Sequence, residues 1–145
     1  MPEIKLRAVG TVRSKIKERG RDDVHDVVAE IVFDPSLNEA LDNLEEFSHI
    51  TVIYYMHKSR QPFPMKVLPR FRVDDKPVGV FASRSPDRPS PLGKTVVELL
   101  ERRGNVLKVR GLDAIDGTPV IDIKPYIPAI DAVVDARVPR WMKRR

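Results

Sequence analysis

The stretch GVFASRSPDRPSPLGKTVVELL, residues 79–100, sets Pro86, Pro89 and Pro91 among Arg84, Arg88 and Lys94. Proline holds φ at about −65° and has no backbone N–H, so such a loop has few conformers and little entropy left to lose on binding. That suits a preorganised anion site. The alternative is a plain proline-rich connection with solvated charges. Gly93-Lys94-Thr95 looks like the end of a phosphate-binding P-loop, but that motif needs a glycine where Arg88 stands. It also needs successive N–H groups, which the prolines lack. The seven glycines never fall two apart, so the Gly-x-Gly turn of a Rossmann nucleotide site is absent too.

Two further cationic patterns stand out. Arg13, Lys15, Lys17, Arg19 and Arg21 occupy alternate positions, so an extended chain puts them on one face. They read either as a phosphate rail or as a charge-guarded edge strand. Residues 58–72, KSRQPFPMKVLPRFR, carry five cations and no acid. Phe63 and Phe71 within them either stack on an unpaired base or dock the loop. With no cysteine and no histidine pair at ligand spacing, disulfides, thiolate ligands and thiol nucleophiles are excluded, and no metal site is expected. His25 and His49 are read as structural.

The elements that must position these groups are mostly strands. Period-two runs recur at 4–12, 27–33, 49–57, 78–83, 94–101, 105–112 and 119–127, which predicts a mainly β fold, a small barrel or sandwich of about seven strands. HITVIYYMH (49–57) is apolar on both faces and reads as a central strand buried on two sides. SLNEALDNLEEF (36–47) predicts one helix, with Ser36 and Glu39 as a capping box. At 145 residues and 41% apolar side chains, the chain is expected to be a single domain, 1–145, with a basic tail from about 129 anchored by Trp141. A net charge of +5 is compatible with RNA without demanding it. No apolar run approaches the roughly 20 residues of a membrane span, so a soluble cytoplasmic protein is expected.

LEEFSHITVIYYMHK (44–58), GVFASRSPDRPSPLGKTVVELL and LDAIDGTPVIDIKPYIP (112–128), with VGTVRS (9–14), resemble the signature blocks of the TrmO/TsaA family of tRNA methyltransferases in family order. The resemblance implies a β-barrel that binds S-adenosylmethionine and methylates N6 of threonylcarbamoyladenosine beside the anticodon. It also implies a homodimer. Carried over residue by residue, the cofactor site falls on His57, Lys58, Arg84, Lys94, Asp113, Ala114, Ile115 and Asp116. The acceptor nitrogen is a poor nucleophile, and Asp113, Asp116 and His57, in that order, are the candidate proton acceptors. Arg13, Lys15, Lys17 and Arg88 are the candidate RNA contacts. The chain departs from the family where bacterial members show a Gln-Pro-Gly contact, reading ERGRDDVHD (18–26) there. It also carries Asp87 and Ser90 in the proline loop. It resembles the family's minimal form, ending soon after the barrel. The other readings are a methyltransferase of the same barrel acting on another RNA or small substrate, and a non-catalytic RNA-binding barrel.

Overall fold

A computed structural model describes residues 1–20, 23–70 and 74–142. The chain divides into two compact units, Met1–His57 with Leu92–Tyr126, and Lys58–Pro91 with Ile127–Arg145. The first unit holds β1 (Gly10–Arg13), β2 (Val28–Phe33) and β3 (His49–Tyr55). The second holds β4 (Lys66–Val67) and β5 (Val78–Gly79). The chain then returns to the first unit as β6 (Leu92–Arg103), β7 (Val106–Arg110) and β8 (Pro119–Pro125).

The six longer strands close into a barrel in the order β1-β2-β7-β6-β3-β8, with every neighbouring pair antiparallel. Closure satisfies the backbone groups that an open edge would leave unpaired. The period-two pattern turns one face of each strand inward, so Val12, Ile31, Ile50, Val52, Val97, Leu107, Val109 and Val120 are buried together. β6 serves two neighbours in succession, pairing through Leu92–Glu98 with β3 and through Glu98–Arg103 with β7. Gly111, at φ +94, turns the chain out of β7, and residues 112–118 run on as a loop to β8. The second unit, in its described part, contains the β4–β5 ribbon, a 3-10 turn at Val80–Ala82 and the four-residue helix α1 (Pro128–Asp131). Among the described residues no helix is long and apolar enough to cross a membrane.

Six of the seven expected runs supply the barrel strands, and the seventh does not extend as expected. Residues 78–83 pair only at Val78–Gly79, because their partner is the two-residue β4, and then tighten into the 3-10 turn. Residues 4–9 are not strand, and β1 begins at Gly10. β3 is buried on one face only, with Thr51 and Ile53 half-buried and Tyr55 exposed on the other. The expected helix is two 3-10 segments, Pro35–Leu41 and Leu44–Glu46, separated by Asn43 at φ 72. Ser36 is not its cap. Asp34 caps instead, accepting the Ser36 N–H at 3.0 Å. The 3-10 pattern is set from Leu37, whose N–H donates to Asp34 O, and Asn43 at positive φ ends the first segment, while Arg102 Nη2 donates to the Asn38 carbonyl at 2.8 Å. Asp42 donates to Glu39 O, while its carboxylate takes Arg102 Nη1 at 2.8 Å. Leu41 still reaches the core.

Leu107 is fully buried. Leu107→Ala is expected to lower the unfolding free energy by about 2–5 kcal/mol in denaturant titration, through lost burial and the cavity left behind.

Candidate functional site

In the first unit the site begins with a glycine. A Cβ on Gly93 would lie 2.5 Å from Cε2 and 2.7 Å from Cζ of Tyr54, so the missing side chain is what lets the Tyr54 ring lie against β6. The ring is buried and its hydroxyl donates to the Asp113 carbonyl at 2.8 Å. That spends its single proton, so at 2.9 Å the Thr95 hydroxyl is the donor to Tyr54 Oη. One hydroxyl therefore joins β3, β6 and the loop after β7.

The far end of that loop is held by the chain leaving β1. The Asp116 N–H donates to Ile16 O at 2.7 Å and the Gly117 N–H to Val12 O at 2.8 Å. The Asp116 carboxylate accepts the Ser14 N–H through Oδ1 and Lys17 Nζ through Oδ2, both at 2.9 Å. The Ser14 N–H first, and Lys17 after it, hold this carboxyl below the ordinary value of 3.8. Thr118 closes the turn onto Ile115 O with both its N–H and its hydroxyl. Gly117 sits at φ +83, and a Cβ there would be 3.9 Å from His57 Nε2, which places the half-buried His57 ring beside this turn.

Between the two anchors lie the buried Ala114 and the half-buried Ile115, with backbone groups left unpaired. Among the described residues, the N–H and C=O of Ala114 and the N–H of Ile115 enter no intramolecular hydrogen bond, and the Asp113 side chain is exposed. Such groups can read the edge of a heterocycle, and a carboxylate beside them suits a cation. Lys94 is exposed on β6, opposite Ile53 of β3.

Lys58, Arg84 and Arg88 belong to the second unit. Its proline loop is internally braced. Ser83 Oγ donates to Val80 O at 2.7 Å and accepts the Ser85 N–H at 3.3 Å, and Ser85 Oγ accepts the Asp87 N–H at 3.2 Å. Arg60 N donates to Asp87 Oδ1 at 2.7 Å, and Gln61 Nε2 donates to Arg88 O at 3.0 Å, tying the loop to residues 60–61. Arg88 folds inward, its Nη1 donating to Ser83 O at 2.9 Å and Ser85 O at 3.2 Å. Arg84 is exposed. Lys58 is exposed as well.

The alternating cations keep their pattern beyond β1: Val12, Ser14 and Ile16 are buried, and Arg13, Lys15 and Lys17 exposed. These three line an open groove of about 450 Å³ with Lys108, Glu30 and Asp116. Arg13 lies 3.7 Å from Glu30 and Lys17 2.9 Å from Asp116, so two of the three are partly neutralised. Arg19 is half-buried, and Arg21 and Phe71 lie outside the described residues. His25 and His49 are exposed. Among the described residues no cluster of three or more metal-ligating side chains occurs.

Tyr54 and Ser14 were not singled out by sequence, and Gly93 only as part of a P-loop-like end that fails. The available signals were weak: a hydroxyl-bearing residue at an inward position of an apolar strand, and a glycine inside another. Gly93→Ala is expected to push the Tyr54 ring aside and lower stability by about 1–3 kcal/mol in thermal unfolding. Tyr54→Phe, which removes only the hydroxyl, is expected to cost about 0.5–1.5 kcal/mol and to speed amide exchange over residues 112–116. Because the folded-state pKa of Asp116 is depressed, its contribution to stability is present above 3.8 and lost as pH falls below it. The melting-temperature gap between the wild type and Asp116→Asn should therefore narrow as the pH is lowered through that range.

The model of the tRNA-methyltransferase O N-terminal domain family matches residues 16–132. An Archaeoglobus fulgidus protein named a probable S-adenosyl-L-methionine-binding protein is 44% identical over 93% of this chain and 37% of its own length. The tRNA (adenine(37)-N6)-methyltransferase of Escherichia coli is 34% identical over 94% of this chain and 63% of its own. A crystal structure of TrmO from Pseudomonas aeruginosa superimposes with a TM-score of 0.76 at 34% identity, covering 94% of this chain and 61% of that one. The chain thus spans less than two thirds of each of these three proteins.

Proposed function

The chain belongs to the tRNA-methyltransferase O N-terminal domain family, and from that premise we propose that it binds S-adenosylmethionine and methylates the N6 nitrogen of an adenine in tRNA, with threonylcarbamoyladenosine next to the anticodon as acceptor. The names of its relatives support the cofactor and the RNA. The observation that carries the reading is the loop Asp113–Asp116, pinned at both ends and with unpaired backbone groups between.

The residues fit the cofactor's chemistry. The unpaired backbone groups of Ala114 and Ile115 match a purine edge, and the exposed Asp113 carboxylate matches a positively charged sulfur. Lys94 in the first unit and Lys58 and Arg84 in the second are exposed cations suited to a carboxylate. When bound, S-adenosylmethionine supplies a methyl group activated by the sulfonium charge. The chain's own task is to position, since holding two reactants in line accounts for much of such a rate. Tyr54 and the β1 extension fix the loop in one conformation before anything binds, so little entropy remains to be lost.

The acceptor nitrogen must shed a proton. Asp116 suits that role poorly, because both its oxygens are engaged and its affinity for a proton is lowered. It acts as a positioning residue. Asp113, exposed in the same loop, is the leading proton acceptor, and His57 beside the Gly117 turn is the second. Arg13, Lys15 and Lys17 contribute phosphate contacts, which set affinity without reading sequence. Self-association into a homodimer belongs to the same reading. It is supported by Tyr55, Leu92 and Val96, which are 42%, 39% and 41% exposed on the outer face of β3 and β6.

Calorimetric titration with S-adenosylmethionine is expected to show binding, and Arg84→Ala to weaken it about tenfold or more. An unchanged affinity in that variant removes Arg84 from the site. Nucleoside mass spectrometry of tRNA incubated with protein and cofactor should show methylated threonylcarbamoyladenosine. Binding without that product leaves the cofactor reading standing and removes the acceptor.

A further inference from the structure

Phe81 is 78% exposed, and Met65 is 76% exposed. Single exposed apolar side chains are ordinary, so exposure alone says little. Three further observations give this one meaning. The first is rigidity. Phe81 sits in the middle of the 3-10 turn Val80–Ala82, whose first residue is buried and whose carbonyl is bonded twice by Ser83. Residues adjacent in such a turn point about 120° apart, so anchoring Val80 inward directs Phe81 out. The Val80 N–H donates to Met65 O at 2.9 Å, which sets Met65 beside the same turn.

The second is the guanidinium. Arg88 Cζ lies 6.0 Å from the Phe81 ring centroid. Its position is set by two backbone carbonyls rather than by a carboxylate, and both bonds use Nη1. The charge is therefore retained, and Nε and Nη2 stay available to an acceptor. With a fixed planar cation over one face, the ring keeps its other face for an unpaired base to stack on.

The third is charge distribution. Residues 58–91 carry eight basic and three acidic side chains, while the rest of the chain is balanced, with eighteen of each. The whole excess of +5 thus lies in the segment that presents Phe81. Such a segment attracts a polyanion and repels a second copy of itself.

We infer that Phe81, Met65 and Arg88 form a stacking platform for one unpaired nucleotide of a single-stranded RNA loop. The ring supplies the stacking surface, Met65 extends it, and Arg88 holds the adjoining phosphate or base edge. Phe81 is a recognition residue. The inference rests on the methyltransferase reading only in taking RNA as the ligand.

The test is titration of the whole protein with a short single-stranded RNA carrying 2-aminopurine, whose fluorescence falls on stacking, alongside Phe81→Ala and Phe81→Trp. The wild type should bind and quench, more weakly with added salt. Phe81→Ala should lose the quench and about 5- to 100-fold in affinity, with S-adenosylmethionine affinity unchanged. Phe81→Trp should restore both. Equal quenching and affinity in Phe81→Ala overturn the platform. So does a change in the mass of Phe81→Ala by light scattering, which would mean that a second copy covers the ring. Methylation of tRNA is scored separately: a wild type that quenches but transfers no methyl group keeps the platform and loses the enzyme reading.

Discussion

One buried hydroxyl holds the candidate site together. Tyr54 comes from an inward position of β3, fills the space left by Gly93 on β6, takes the Thr95 hydroxyl and gives its proton to the Asp113 carbonyl. Inside a barrel, an unsatisfied phenol costs more than a satisfied one contributes, so the arrangement is nearly all-or-none. If the glycine gains a side chain, the ring must move. Once the ring moves, the loop that follows β7 loses its first anchor.

The second anchor works from the opposite side. The chain leaving β1 keeps strand-like alternation for several residues, burying Ser14 and Ile16 while their backbone groups bind the Asp116 turn. The same alternation turns Arg13, Lys15 and Lys17 outward along one groove. Loop bracing and cation display thus follow from a single backbone conformation. Lys17 joins the two, pairing with the carboxylate that receives the Ser14 N–H.

Charge is arranged differently in different stretches of the chain. Across the barrel surface the register sets Arg13 opposite Glu30, Glu30 opposite Lys108, and Lys108 opposite Glu101, a row of alternating sign over four strands. Such cross-strand pairs contribute about 0.2–1 kcal/mol each and leave little net field. The segment 58–91 holds the chain's surplus of positive charge, and serine hydroxyls brace its proline loop at Ser83 and Ser85. The unit that holds the barrel, residues 1–57 and 92–126, carries thirteen basic and sixteen acidic side chains, so the surplus lies outside it.

Six of the strands were legible because side-chain alternation is local and each strand reports its own inward face. The rigidity of the proline loop was legible for the same reason, since proline restricts its own residue and the one before it. The family blocks were also visible as written, which is why the barrel and the candidate loop could be expected from the sequence. What the sequence did not contain was which distant group would take each polar partner. Arg102 bonds a carbonyl 64 residues away within a run that forms two 3-10 segments rather than the expected helix. Ser14 reaches 102 residues along the chain to donate its N–H to the Asp116 carboxylate. Residues 78–83 had the composition of a strand and lacked a long enough partner. Propensity and period act within a few residues, whereas these hydrogen bonds exist only after barrel closure brings remote backbone groups within reach, and that is what the tertiary structure decided.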